Sequence, residues 1–88
     1  MTAPVTLTEA KLFLRVGHDA EDPLIQTLIE AATARVADAV GEAVDAASPA
    51  PVRLAVLMLT LKAYERGGAE PGVEAVEAWL KPYRQVRL

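Results

Sequence analysis

The spacing of apolar residues between positions 24 and 40 constrains the fold of this chain more than any other feature. Apolar side chains recur there at intervals of three and four, which places them on one face because an α-helix turns once in about 3.6 residues. Asp22 and Pro23 are typical of a helix start and Gly41 of a helix end, so this segment is predicted to form one long amphipathic helix. Its apolar positions are Leu24, Ile25, Leu28, Ile29, Ala32, Val36, Ala39 and Val40.

The segments before and after this helix carry their own start and stop signals. Thr6 and Glu9 stand in the spacing of a capping box, which predicts a first helix that runs to about Arg15 and is ended by Gly17. Pro51 opens a third helix, which two consecutive glycines terminate. Because apolar residues surround most of this third helix, it is predicted to be the buried central one. These residues are Leu54, Val56, Leu57, Met58, Leu59, Leu61 and Tyr64.

A fourth, shorter helix is predicted after residue 72. Val73, Val76 and Leu80 form its apolar stripe, and Trp79 lies at the edge of that stripe. Residues 42–50 are rich in alanine but contain a Ser-Pro step, and we interpret them as a loop. No segment alternates with the period of two that is typical of a β-strand. The predicted fold is therefore all-α: a small bundle of about four helices with a long second helix, a buried third helix and an extended C-terminal arm.

Pro82 divides the chain into a domain and an arm. A proline disfavours the helical conformation at the preceding residue and lacks a backbone donor, so the fourth helix should stop at Lys81. Residues 1–81 are predicted to form one helical domain, and residues 82–88 an extended arm. A chain of 88 residues buries only about 60 to 65% of its unfolded surface, so we expect self-association to add to a marginal stability.

Composition and charge exclude several classes of protein. The chain has no cysteine, which excludes disulfide frameworks, thiolate metal sites and cysteine nucleophiles. Its longest apolar run, residues 54–61, is far shorter than the roughly 20 residues that span a bilayer, and the N-terminus lacks a signal-peptide pattern, so we expect a soluble chain with no membrane partner. Residues 1–50 hold eight acids and three bases, whereas residues 51–88 hold four acids and six bases. This asymmetry favours head-to-tail stacking or an oppositely charged partner.

The polar residues do not form a recognisable catalytic or ligand-binding motif. His18 lies beside Asp19 and close to Asp22, but the segment lacks the ligand spacing of a zinc site and the central glycine of a calcium loop. The glycines that follow Arg66 are not succeeded by the lysine and hydroxyl residue of a phosphate-binding loop. Ser48 has no histidine near it in sequence that could activate it. We therefore expect no enzymatic activity, no catalytic residue, no metal and no cofactor.

The residues around the start of the arm have the composition of a partner-binding surface. Aromatic and arginine side chains are enriched at protein interfaces, because a rigid ring and a planar donor group contribute much binding energy. In the alternative interpretation, Trp79 anchors the core, Tyr83 folds back over it and the cations are simply solvated. The predicted partner-binding residues are Trp79, Lys81, Pro82, Tyr83, Arg84 and Arg87.

Four short segments occur in an order that is typical of one viral protein family. They are VTLTEAK at 5–11 with Leu14 and Arg15, DAEDPL at 19–24, PVRLA at 51–55 with YER at 64–66, and LKPYR at 80–84. Together they resemble the head-tail connector, or adaptor, proteins of tailed bacteriophages, the HK97 connector-like family that also occurs in prophages and gene transfer agents. The chain departs from the family pattern in the alanine-rich residues 42–50 and in the paired glycines at 67 and 68.

The resemblance implies a structural subunit that performs no reaction. Such a subunit forms a ring, matched to the twelvefold portal, that joins the DNA-filled head to the tail or to a head-completion protein and forms part of the DNA channel. The implied partners are copies of itself, the portal protein, the head-completion or tail protein, and DNA that passes without sequence-specific binding. The implied location is the head-tail junction of the virion, with assembly in the host cytoplasm. Negative charge along a channel keeps DNA from binding, which assigns Asp38, Glu42 and Asp45 to the channel face.

Two other functions are consistent with the sequence. The first is a small DNA-binding or DNA-packaging module of a phage or prophage, whose basic arm contacts phosphates. DNA binding through a helix-turn-helix is disfavoured, because the connection between the second and third helices is about ten residues instead of three or four and the third helix is too apolar. The second is a bacterial helical adaptor that binds another protein.

Overall fold

A computed structural model of the chain describes residues 3–66, Leu80 and Pro82. This part of the chain contains three α-helices and no β-strand: α1 spans Leu7–Leu14, α2 spans Asp22–Val40 and α3 spans Ala50–Glu65. The all-α fold class is therefore confirmed. The predicted fourth helix, including Val73, Val76 and Trp79, lies outside the described residues apart from Leu80.

The start of α1 is a capping box, as the spacing predicts. The backbone amide of Thr6 donates to Glu9 Oε1 over 2.9 Å, and the amide of Glu9 donates to Thr6 Oγ1 over 3.1 Å. These two bonds satisfy backbone donors that the first turn of a helix leaves without an intrahelical acceptor. The helix presents a narrow apolar stripe to the core, in which Ala10 is buried and Leu7, Leu14 and Val16 pack against it.

The end of α1 differs from the prediction. The helix ends at Leu14, one residue before the predicted limit, and Arg15, with φ 61° and ψ 40°, takes the left-handed conformation, so the turn precedes Gly17. The amide of Arg15 donates to the Leu12 carbonyl, and the amide of Val16 donates to the Lys11 carbonyl over 2.9 Å, which is the bond pattern of a Schellman motif. Val16 packs against the core, so its burial fixes the turn two residues before the glycine.

The left-handed conformation of Arg15 gives a testable ranking of stabilities. A side chain with a Cβ is strained at positive φ by roughly 1 kcal/mol, and a β-branched side chain by more. We expect Arg15→Gly to raise the free energy of unfolding by about 0.5 kcal/mol, since part of the relieved strain is offset by glycine's larger unfolded-state entropy. We expect Arg15→Val to lower it by about 1 kcal/mol. Urea denaturation measures both, and a glycine variant less stable than the valine variant would contradict this assignment.

The second helix matches its predicted limits, although two of its residues do not have their predicted roles. Gly41 ends the helix in the left-handed conformation, with φ 82°. Asp22 is the first helical residue and makes no side-chain cap, because its carboxylate is turned towards Lys11 of α1. Leu24 is 40% exposed, because it lies about 100° around the helix from the centre of the buried stripe. The buried residues of α2 are Ile25, Leu28, Ile29, Ala32, Val36 and Val40.

The third helix packs mainly against α2 and also contacts α1. It begins at Ala50, one residue before the predicted start, and ends at Glu65. Its buried residues lie on one side, and Leu54, which the sequence placed among the apolar residues around this buried helix, is 40% exposed. Thr60 is buried among apolar groups, and its hydroxyl donates to the Val56 carbonyl over 2.8 Å, which satisfies that donor. The buried face comprises Val52, Ala55, Val56, Leu59, Thr60 and Ala63.

Residues 41–49 form an irregular connection, as predicted for 42–50. Val44 is buried in the core, and the turn after it is closed by Asp45, whose Oδ1 accepts from the Ala47 amide over 2.8 Å. Arg53 Nε donates to the Ser48 carbonyl over 3.0 Å and so ties this connection to α3. Leu80, assigned by its spacing to an apolar stripe, is 1% exposed and belongs to the same core. The division into a domain of residues 1–81 and an arm of residues 82–88 stays a prediction.

Candidate partner-binding surfaces

A lysine links α1 to the start of α2. Lys11 Nζ lies 2.6 Å from Asp19 Oδ1 and 2.9 Å from Asp22 Oδ1. The hydrogen bond to Asp19 and then the contact with Asp22 raise the pKa of Lys11, and the hydrogen bond from Lys11 lowers the pKa of Asp19. Lys11 of α1 therefore contacts one acid in the connection and one at the start of α2, which is a structural role for residues that lack the pattern of a metal site.

A tyrosine links the end of α3 to the residue before α2. Tyr64 donates its hydroxyl proton to Glu21 Oε1 over 2.6 Å, and this bond, together with partial burial, raises the pKa of Tyr64. The bond also shows that α2 and α3 run antiparallel, because it joins the last turn of one helix to the first of the other. His18 is exposed, with Nε2 3.9 Å from Glu21 Oε1. Within residues 3–66 with Leu80 and Pro82, no three potential metal ligands converge.

The Lys11 ion pair predicts a specific pH dependence. Because the pKa of Asp19 is lowered in the folded state, its contribution to stability is present above its usual value of 3.8 and is lost as the pH falls through the folded pKa. We expect Asp19→Asn to be slightly less stable than the parent chain at pH 7, and this difference to shrink as the pH falls below 3.8. Urea denaturation at neutral and at acidic pH measures it, with Glu65→Gln as an exposed acid-to-amide control. A difference that is unchanged at low pH would contradict the assigned pair.

Three large apolar side chains are exposed in the described part of the chain. Leu12 is 74% exposed on α1, and Leu24 and Leu54 are each 40% exposed on α2 and α3. Because Lys11 reaches Asp22, Leu12 and Leu24 lie at the same end of the bundle. Leu54 lies at the other end, since it precedes Tyr64 by ten residues, or about 15 Å of helix. The bundle therefore has exposed leucines at both ends, and we refer to Leu12 with Leu24 as the Leu12–Leu24 patch and to Leu54 as the Leu54 patch.

The side of α3 that carries Leu54 has no charge at positions 50, 54, 57 and 61. Ala50 and Leu54 are exposed there, whereas Leu57 and Leu61 are half-buried and Leu57 packs against the core. An uncharged side of this kind differs from the basic helix face that contacts DNA.

An open groove of about 450 Å³ runs along another side of α2. Residues 3, 4, 43 and 44 also line it. Of its described lining residues, four are alanines and one, Glu30, is charged. The lining residues are Ala3, Pro4, Gln26, Ile29, Glu30, Thr33, Ala34, Ala37, Ala43 and Val44.

The three acids assigned to a channel face lie near the C-terminal end of α2. Asp38 and Glu42 are exposed, whereas Asp45 is half-buried and uses its carboxylate to close the 45–48 turn. Asp38 lies in the last turn of α2, where a negative charge is disfavoured by the helix dipole. Asp45 therefore has a local structural role, and the assignment of Asp38 and Glu42 to a channel face stays a prediction.

Most of the predicted partner-binding residues fall outside the described residues: Trp79, Lys81, Tyr83, Arg84 and Arg87. Pro82 is described and is exposed. The sequence reasoning missed the three exposed leucines and the groove along α2. The exposure of Leu12 could have been predicted, because Leu12 falls outside the three-and-four spacing of the apolar stripe of α1. The groove could not, because it depends on how residues 3–4 and 43–44 pack beside α2.

In comparisons with known proteins, the chain matches the model of one protein family. The model of the family described as phage gp6-like head-tail connector protein matches residues 4–78. No curated protein and no solved structure matches the chain. None of the helices in the described ranges combines the length and hydropathy of a membrane span.

Proposed function

The chain belongs to the phage gp6-like head-tail connector family, and we propose that it assembles as a ring beneath the portal. In this position the ring joins the DNA-filled head to the tail or to a head-completion protein, and its central opening forms part of the DNA channel. The match covers residues 4–78 and therefore includes α1, α2 and α3 together. A connector performs a structural role, so its mechanism lies in the surfaces that it presents to its neighbours.

The placement of exposed leucines at opposite ends supports ring formation. A closed ring is built from head-to-tail contacts, in which each subunit presents two different surfaces that fit one another. The Leu54 patch and the Leu12–Leu24 patch are two such surfaces on separate helices. Docking one onto the other removes apolar side chains from water, at about 25 cal/mol for each Å² buried, and adds stability to a domain with a small core.

Asp38 and Glu42 supply the negative charge of the channel wall in this proposal. DNA carries a high density of phosphate charge, so an acidic wall repels it and prevents binding during passage. We expect the double variant Asp38→Lys, Glu42→Lys to slow DNA ejection and to lower infectivity at least about tenfold, because cations on the wall would bind phosphates. Asp45→Asn, which keeps the oxygen that accepts from Ala47, is the matched control and should be close to normal. Normal infectivity of the lysine variant would contradict the channel assignment.

The arm contributes contacts to the layers above and below the ring. Its aromatic and basic side chains provide rigid rings and charge-assisted donors for the portal or for a neighbouring subunit. The residues proposed for these contacts are Trp79, Lys81, Pro82, Tyr83, Arg84 and Arg87.

Removing the protein from the phage or prophage that encodes it tests the proposed function. We expect particles with DNA-filled heads and no tails, and we expect added purified chain to restore tailed, infectious particles. A DNA-packaging module would instead give empty heads, and the purified chain would shift DNA in a salt-dependent gel assay. Tailed, infectious particles in the absence of the protein would overturn the proposal.

A further inference from the structure

The groove along α2 contains an acid, Glu30, and its lining from there towards Ala37 is mostly apolar. Glu30 is exposed, and its hydrogen-bond partner is the neutral side-chain amide of Gln26 at 3.4 Å, so in the described part of the chain its charge is not neutralised. Ala34 and Ala37 follow it along the same side of the helix. Thr33 adds little polarity, because its hydroxyl already donates to the Ile29 carbonyl over 2.7 Å.

We propose that this groove binds the C-terminal arm, residues 83–88, of a neighbouring copy of the chain. The arm has two arginines and no acid, which complements Glu30. In an extended peptide alternate residues share one face, so Arg84, Val86 and Leu88 point the same way. Arg84 pairs with Glu30 in this arrangement, and the two aliphatic side chains lie on the alanines of the groove.

The lengths of arm and groove agree. From Arg84 to Leu88 an extended chain covers about 13 Å, at roughly 3.3 Å per residue. From Glu30 to Ala37 the helix rises about 10 Å, at 1.5 Å per residue. Small lining residues let a backbone approach closely, and the groove volume of about 450 Å³ is enough for short side chains that enter in this way.

In this proposal the groove binds the arm of a neighbouring copy and not the chain's own arm. Of the described C-terminal residues, Leu80 is buried in the core and Pro82 is exposed, and neither lines the groove. The inference rests on the proposed ring, in which an arm of one subunit can reach the next. It names the site on the neighbouring subunit that would bind the predicted arm, and the family match alone does not identify such a site.

Disulfide trapping tests the inference, because the chain has no cysteine of its own. Full-length Ala34→Cys is mixed with full-length Val86→Cys in the presence of the cognate portal ring and mild oxidant. The matched control is Ala31→Cys, an exposed alanine on the same helix about 60° further from the groove. We expect about tenfold more crosslinked dimer for position 34 than for position 31, because docking raises the local concentration of the two thiols. Equal yields, or no crosslink at either position, would overturn the inference.

Charge exchange provides a second readout. We expect Glu30→Lys and Arg84→Glu each to weaken ring formation about tenfold, and the variant carrying both changes to recover most of the loss. Arg87→Glu, which lies on the opposite face of an extended arm, is the control and should change ring formation far less. Equal effects of Arg84→Glu and Arg87→Glu would also overturn the inference. If all of these variants form normal rings, the groove inference is overturned but the proposed connector function stands. If the unmodified chain does not bind the portal, the connector function itself is overturned.

Discussion

Replacing Leu54 by glutamate should leave the domain folded and weaken its head-to-tail assembly by at least about 100-fold, which corresponds to about 2.7 kcal/mol. Leu54 is 40% exposed, so the carboxylate stays hydrated in the isolated subunit. In the assembled ring the same carboxylate would be buried against an apolar patch without a partner, and such burial costs several kcal/mol. Sedimentation measures the loss, and circular dichroism checks that the helices persist.

A second variant makes this prediction specific to a head-to-tail contact. Leu12→Glu should block assembly in the same way, because it alters the patch at the other end. Each variant keeps one unaltered patch. When the two variants are mixed, the Leu54 patch of the Leu12→Glu chain can still dock on the Leu12–Leu24 patch of the Leu54→Glu chain. We expect dimers of one copy each and no larger species. Rings formed by either variant alone, or a mixture that stays monomeric, would contradict the assigned contact.

Replacing Ile25 by alanine should remove much of the stability of the isolated domain. Ile25 is fully buried, and truncation of a buried isoleucine costs about 2 to 5 kcal/mol, against a total of about 5 kcal/mol that a domain of this size commonly has. We expect the variant to be partly unfolded when dilute and to recover when the ring forms, because assembly binds only the folded state.

Leu24, the neighbouring residue on the same helix, is the matched control. Its side chain is 40% exposed, so Leu24→Ala should lower the free energy of unfolding by less than about 1 kcal/mol in the dilute subunit. Urea denaturation at low concentration measures both variants. Similar losses for Ile25→Ala and Leu24→Ala would show that the buried stripe of α2 is placed wrongly.

Local signals in the sequence predicted the helices better than their ends. Thr6 and Glu9 form the predicted capping box, and Gly41 ends α2, because these signals act within a few residues. The end of α1 lies within one residue of its predicted limit near Arg15, but Gly17 does not form the turn. Arg15 takes the left-handed conformation and Val16 packs against the core, and no local rule favours arginine there. Asp22 was predicted as a cap for the same local reason, but Lys11 on another helix binds its carboxylate.

The surfaces could be predicted less well than the helices, because they depend on how the helices cross. Apolar residues surround α3, so its sequence does not tell which side α2 covers and which side leaves Leu54 exposed. The hydrogen bond from Tyr64 to Glu21 joins residues 43 positions apart and has no signature in spacing. The family, by contrast, was identified correctly from four short segments, since their order along the chain survives even where individual contacts are not predictable.

The mass of the complex between the full-length chain and its cognate portal ring tests the central claim most directly. Native mass measurement or sedimentation of the chain, first alone at high concentration and then with the portal, gives the number of copies bound. The account predicts a closed ring whose copy number matches the portal, and a loss of that ring in the Leu54→Glu variant. A chain that stays monomeric at high concentration and does not bind the portal would contradict it.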